Sequence, residues 1–517
     1  MNATQHNPDG FLQYNEPSIV SLLTLISFFL FLSLAEWVSD TLFKAGLIGQ
    51  ILVGMLYGLP VGNIMDEAWQ ETFVSLGYLG IILIIFEGGL SVRTDLLKQN
   101  LVTSLCAATL GVLTPISLCY LMLYLGLHYG PVETFIVGAA LSTTSLGTTF
   151  VVMASATKDV NLPHTRVGAV LVSAAVLDDI SGLVMASVIH NLGGLADTGD
   201  PDGQEAPGHP NIGWLIGRPI VASAAMGILT PVLSTYLFSP LFRFYLEDRL
   251  TRFKHRFNII LMALVLCAFL VIANYAGTSV LYGAFLAGVF LSSLPCNHPD
   301  APFMVMSREH GETEPGKTPT FAHTFEKYLL GARVYVLQPV FFASMGFAIP
   351  LKKMWTGEAV WQGVVFSLLM VFGKTITGIV IPIWDLFTRS SIDKIRPRLQ
   401  QSLTPAMLLG TAMVARGEIG LLIIQMGRNE TPFLSERAFI TATWAIVLNT
   451  IVGPAAVGWL LKRKAKAISD NENWGLQLPE MRPSETVSTV ASGRSSRWTD
   501  RRYSRSINGD ALQQAPV

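Results

Sequence analysis

Charge is what this chain lacks most. Of its 517 residues only 14% are Asp, Glu, Lys or Arg, 51% are hydrophobic, and the mean hydropathy is +0.47. Such scarcity excludes an ordinary soluble domain and indicates an integral membrane protein. Cysteine is scarce too. Cys106, Cys119, Cys267 and Cys296 have neither metal-ligand spacing nor a disulfide framework, and three of them lie inside apolar runs, where they read as packing residues. The opening "MNATQHNPDGFLQYNEP" lacks the basic n-region of a signal peptide, so the first apolar run is expected to remain as a membrane span. No cofactor, catalytic residue or nucleic-acid partner is expected.

What the chain does have is apolar runs of membrane-crossing length. About thirteen are read near 17-37, 45-64, 73-92, 101-126, 132-155, 166-190, 213-238, 257-276, 278-295, 329-349, 358-384, 402-427 and 436-461. The expected fold is an all-α membrane protein, with a transmembrane domain over 1-462 and a disordered cytoplasmic tail, rich in Ser and Arg, over 463-517. Basic loops mark the cytoplasmic side. "MDEAWQE" and "DTGDPDGQEAPGHP" contain no Lys or Arg, whereas "RFYLEDRLTRFKHR", "RSSIDKIRPR" and "KRKAK" fall on the opposite side, which puts the N-terminus outside. Lys352 and Lys353 are the exception. The sequons at Asn2 and Asn429 both fall on the outer side.

The sixth run, "VSAAVLDDISGLVMASVI", carries Asp178 and Asp179 at its middle. About ten residues on each side rise roughly 15 Å, so the acids sit near the bilayer midplane. A charged acid there costs roughly 2.5 to 3.5 kcal/mol on an insertion scale, which marks a functional position. Neighbouring helix positions point about 100° apart, so one acid can face a cavity while the other faces a packed partner. Lys374 supplies that partner. It is the only charged group in "VVFSLLMVFGKTITGIVIPI" and sits at a similar depth, where an acid and a lysine favour each other's charged forms.

Two further runs look interrupted. In the fifth, "AALSTTSLGTTFVV", Ser142, Thr143, Thr144, Ser145, Thr148 and Thr149 stand where aliphatics are expected, around Gly147. In the twelfth, "GTAMVARGEIGLLI", Arg416 and Glu418 flank Gly417. Broken helices at mid-membrane expose half-helix ends and free carbonyls, which is how secondary transporters build ion sites. The two runs lie seven spans apart, an odd separation that suits an inverted repeat, although no residue-level repeat accompanies it. Glu87, near the inner end of the third run, reads as structural, and His164 and His190 lie at span ends as surface groups or pH-sensitive elements.

The "LDD" doublet, the "TSLG" segment, the mid-span Lys374 and "ARGEIGLLI" together, in this order and spacing, resemble the monovalent cation:proton antiporter-2 family. The resemblance spans roughly 17 to 462. It implies the sodium/proton-antiporter fold with inverted repeats, two crossed broken helices, a core domain and a dimerisation domain that makes a homodimer, and elevator-like alternating access. It also implies roles: Asp179 binds the transported Na+ and the proton, Asp178 pairs with Lys374, and Thr144 and Ser145 lie near the ion. An Asp-Asp doublet looks like the electrogenic type. "FEGGLS" departs from the commoner form of the family and leaves Glu87 without a role.

The expected activity is exchange of a monovalent cation, Na+ before K+ or Li+, for protons across a membrane, serving pH homeostasis, with the plasma membrane favoured over an organelle. A potassium/proton exchanger, an uncoupled cation channel and an intramembrane aspartyl protease are the alternatives. The protease requires carboxylates about 3 Å apart, which adjacent residues of one helix do not offer.

Overall fold

The computed structural model describes residues 16–92, 97, 99–145, 165–193, 212–242, 245, 254–294, 321–388, 395–471 and 473–475. All of these lie within one compact unit, Met1–Leu476. Every described element is helical or irregular apart from a single bridge residue at Thr165. A helix satisfies its own backbone groups, which is what a chain crossing lipid requires.

The helices used below are α1 Ile19–Phe43, α2 Gly46–Tyr57, α3 Glu67–Leu90, α4 Leu101–Cys119, α5 Pro131–Ser142, α6 Arg166–Gly193, α7 Ile212–Leu233, α8 Lys254–Ala276, α9 Val280–Ser292, α10 Gln338–Phe347, α11 Gly357–Thr375, α12 Ile395–Ala412, α13 Glu418–Glu430 and α14 Glu436–Ser469. Nine described helical stretches are long and apolar enough to cross a membrane; α2, α5 and α9 are shorter apolar helices. The twelfth expected span is the broken pair α12 and α13. Local chemistry sets several starts. Ser18, Ser279, Thr356 and Ser435 each cap a helix by accepting a backbone N–H of its first turn, and Pro131 opens α5, where a missing N–H costs nothing.

Glycines let several of these helices approach closely. A Cβ on Gly54 of α2 would lie 2.0 Å from the Ala343 carbonyl oxygen, and one on Gly346 of α10 would lie 2.3 Å from that of Ile51. The same reciprocity joins α3 and α9 through Gly89 and Gly288. Small residues at facing positions are how membrane helices gain dispersion contact without a hydrophobic driving force.

Two groups of helices result. In one, α1, α2, α3, α8, α9 and α10 pack on one another; in the other, α4, α5, α6, α11, α12, α13 and α14 do so, and α7 runs between α6 and α9. Between the groups, Ser279 N–H donates to Ser187 Oγ at 2.8 Å, Asn191 Nδ2 to the Gly277 carbonyl at 3.1 Å, and Gln425 Nε2 to the Met345 carbonyl at 3.4 Å.

Some readings need adjustment. The last helix continues to Ser469 and Trp474 beyond it is fully buried, so the described fold extends past the expected boundary at 462. Of the three cysteines expected to pack in apolar runs only Cys119 is buried; Cys106 and Cys267 are exposed on helix faces that apolar surroundings tolerate. Gly147, Thr148, Thr149, His164, Cys296 and Asn2 lie outside the described residues.

Candidate functional site

The fifth and twelfth spans meet where both leave the helical path. α5 ends at Ser142 because Thr143 turns into an extended conformation, φ -66° and ψ 148°. α12 ends at Ala412, and residues 413–417 run without helix until Glu418 opens α13. The two irregular stretches bond to each other: Ser145 N–H donates to the Ala415 carbonyl at 2.8 Å, and Thr144 Oγ1 to the Met413 carbonyl at 3.2 Å. Only glycine fits at the crossing, since a Cβ on Gly417 would lie 2.5 Å from Ser145 Cβ.

A helix stopped inside the membrane leaves orphan carbonyls at its C-terminal end, where the helix dipole is negative. Arg416 answers that need. Its fully buried guanidinium donates from Nη1 to the Thr143 carbonyl and, more weakly, to that of Ser142, while its own carbonyl accepts from Thr450 Oγ1 at 3.0 Å. At the other half-helix the sign is reversed. Glu418 is the first residue of α13, at the positive end, and follows the Gly417 position that packs against Ser145. Arg416 and Glu418, expected as a polar pair, thus serve two different helix ends.

The acid doublet of α6 faces this crossing. Lys374 of α11 donates to both Asp178 oxygens, at 3.0 and 3.3 Å, and to Thr144 Oγ1 at 2.9 Å. Lys374 and Asp178 are both 0% exposed. Thr144 therefore spends its hydroxyl within this network, accepting from Lys374 and donating to Met413. Asp179 differs. It is only part-buried, and its Oδ1 meets no hydrogen-bond partner among the described residues. Gly182, one turn further on the same face of α6, lets that face approach Thr143 and Ile419, to which its absent Cβ would be 2.6 and 3.2 Å. Asp179 accordingly shares a face with the start of α13, and Glu418 lies within its electrostatic reach.

Sequence reasoning missed the partner of Glu87. Arg333, at the opening of the tenth span, forms an ion pair with Glu87 and bonds Gln338, each ionic side chain being about one-sixth exposed (15% and 16%). An arginine in "GARVYVLQPV" opposite an acid in "FEGGLS" was the available signal. His190 pairs with Glu430 at 2.7 Å in an exposed contact.

A family model described as "Sodium/hydrogen exchanger, transmembrane" matches residues 21–463. The chain belongs to the sodium/hydrogen exchanger family. This is a family of transporters rather than enzymes. Among curated relatives, the exchanger is similar to the "Na(+)/H(+) antiporter" of Enterococcus hirae, 24% identical over 418 residues, covering 80% of this chain and 91% of that one. It is also similar to the "High-affinity Na(+)/H(+) antiporter NhaS3" of Synechocystis sp., 26% identical over 392 residues, 74% of this chain and 70% of the other. A third relative is the "Na(+)/H(+)-K(+) antiporter GerN" of Bacillus cereus, 23% identical over 442 residues, 84% of this chain and 95% of that protein. The exchanger's fold is that of the solved sodium proton antiporter MjNhaP1 from Methanocaldococcus jannaschii, with a TM-score of 0.55 at 13% identity over 86% of this chain and 98% of the other.

Proposed function

We propose that this exchanger is an electrogenic sodium/proton antiporter in which Asp179 binds the cation and the proton in alternation. The observation that carries this reading is the inequality of the two acids. Asp178 is neutralised by Lys374 within a buried network, while Asp179 beside it keeps an oxygen with no partner among the described residues. A carboxylate oxygen left in this way needs either a proton or a cation, and the two compete for it. Glu418 lies within electrostatic reach of the position, and Arg416 satisfies carbonyls at the α5 end that would otherwise be orphaned inside the membrane.

Transport follows from that competition. A cation arriving from one side displaces protons, the helix group holding α5, α6, α12 and α13 shifts against the other group, and reprotonation on the far side releases the cation. That the bonds described between the two groups are single hydrogen bonds at three places, among the described residues, supports an elevator-like movement. If two protons move per univalent cation, one net charge crosses in each cycle, worth about 2.3 kcal/mol per 100 mV. Na+ is the favoured cargo. Potassium exchange is the second reading, supported by the likeness to a relative named for both ions. The first helix group is the proposed homodimer face, the N-terminus is outside and the membrane is the plasma membrane.

Reconstituted vesicles with a sodium gradient and no ionophore test the reading. Both a pH change and a membrane potential should develop; a pH change with no potential removes the electrogenic assignment, and sodium flux without a pH change removes antiport.

A further inference from the structure

Trp474 is among the largest fully buried side chains described, although it follows the final membrane helix. It sits in a short turn. Asn471 Oδ1 accepts the backbone N–H of Asn473 and Trp474, at 3.1 and 3.0 Å, and the Gly475 N–H returns to the Asn471 carbonyl at 2.8 Å. Three outward connections leave that turn. The carbonyls of Gly475 and Trp474 accept the N–H groups of Arg166 and Val167, at 3.0 and 3.2 Å, which are orphan donors of the first turn of α6. The indole Nε1 donates to both oxygens of Asp385, at 3.1 and 3.0 Å, and Ser402 of α12 bonds the same carboxylate. Asn471 Nδ2 donates to the Gln401 carbonyl at 3.0 Å, while the Arg166 guanidinium lies 4.8 Å from the indole centre.

These connections join the bases of the two helical spans whose middles form the buried ion pair. Asp178 lies twelve residues beyond Arg166 in α6, about 18 Å along the helix, and Lys374 lies eleven residues before Asp385 in the eleventh span, about 17 Å. Fixing both bases through one side chain fixes the relative height of Asp178 and Lys374. We propose that Asn471 and residues 473–475 are a docked strap in which Trp474 and Asp385 are positioning residues for the Asp178–Lys374 pair, and through it for cation binding at Asp179. This rests on the antiport reading above.

The test uses full-length protein in proteoliposomes, with Na+-dependent proton exchange measured over a range of Na+. Truncation after Asp470 and Trp474→Ala should each raise KM for Na+ about threefold or more, with a smaller change in kcat. Trp474→Phe, which keeps the ring but loses the N–H, should fall between them and wild type. Truncation after Leu476, which keeps the strap, should leave KM unchanged. A synthetic peptide spanning residues 471–482, present on the tail side, should restore the low KM of the chain ending at Asp470. An unchanged KM in that chain, or a loss of rate alone, overturns the proposal, because mere loss of folded protein lowers rate without moving KM. Where Trp474→Ala does not fold, Trp474→Phe and the truncations decide. Binding of the fluorescently labelled peptide to the detergent-purified chain ending at Asp470 needs no transport: binding supports docking and its absence overturns it, while failure of wild type to exchange Na+ for protons would fall on the antiport reading.

Discussion

Replacing Lys374 by methionine keeps most of the side-chain volume and removes one charge from a pair in which both partners are 0% exposed. Asp178 is then a buried carboxylate with no cation at ion-pair distance among the described residues, and losing one partner of a buried pair costs about 3 to 5 kcal/mol. Thr144 also loses the ammonium donor at 2.9 Å, which adds about 1 kcal/mol. The variant should therefore unfold about 4 to 6 kcal/mol more easily than wild type. Asp178→Asn alone should carry a comparable penalty, since it strands a buried ammonium. The double variant should recover most of the loss, because two neutral groups of similar size need no counter-charge. Equilibrium unfolding in mixed dodecyl-maltoside and SDS micelles, followed by tryptophan fluorescence, gives the four corners of the cycle. A coupling of several kcal/mol is expected. Two single-variant penalties that simply add in the double variant would refute the claim that the pair acts as a unit.

The remaining expectations concern the crossing and the other ion pairs. Gly417→Ala puts a methyl group 2.5 Å from Ser145 Cβ and should cost about 1 to 3 kcal/mol and most of the exchange rate, read by unfolding and by vesicle assay together. Glu87→Gln strands Arg333 in a largely buried site; a loss of about 1 to 3 kcal/mol is expected, recovered in part by adding Arg333→Met. The His190–Glu430 contact is exposed, with side chains 60% and 38% accessible, so His190→Gln should change stability by less than about 1 kcal/mol and leave exchange rates as they are. A larger effect would make His190 more than a surface group.

How much of this was legible in the sequence differs from residue to residue. The Lys374–Asp178 pair was readable because a charge in an apolar run is costly, so each such residue calls for a partner at its own depth. The break before Glu418 was readable because arginine, glycine and glutamate together cannot continue a lipid-facing helix. Arg416 and Glu418 were singled out together, but their division between two helix ends was not readable, since it depends on which half-helix lies across from each. The same holds for Thr144: its hydroxyl-rich run pointed to an ion, whereas the fold engages it with Lys374 and Met413. Trp474 gave no sequence signal. A tryptophan in a polar segment rich in Ser and Arg reads as solvated, and only the convergence of α6, the eleventh span and α12 on one spot gives it a place to be buried.

The central claim is that Asp179, and not its neighbour, carries the exchange. Sodium-driven proton movement in proteoliposomes, compared between wild type and Asp179→Asn at equal protein density, tests it most directly. The Oδ1 with no partner among the described residues becomes part of a neutral amide in the variant, which neither takes up a proton nor holds a cation by charge, so exchange should fall to the level of protein-free vesicles. Exchange retained in Asp179→Asn at a rate near that of wild type would contradict the account.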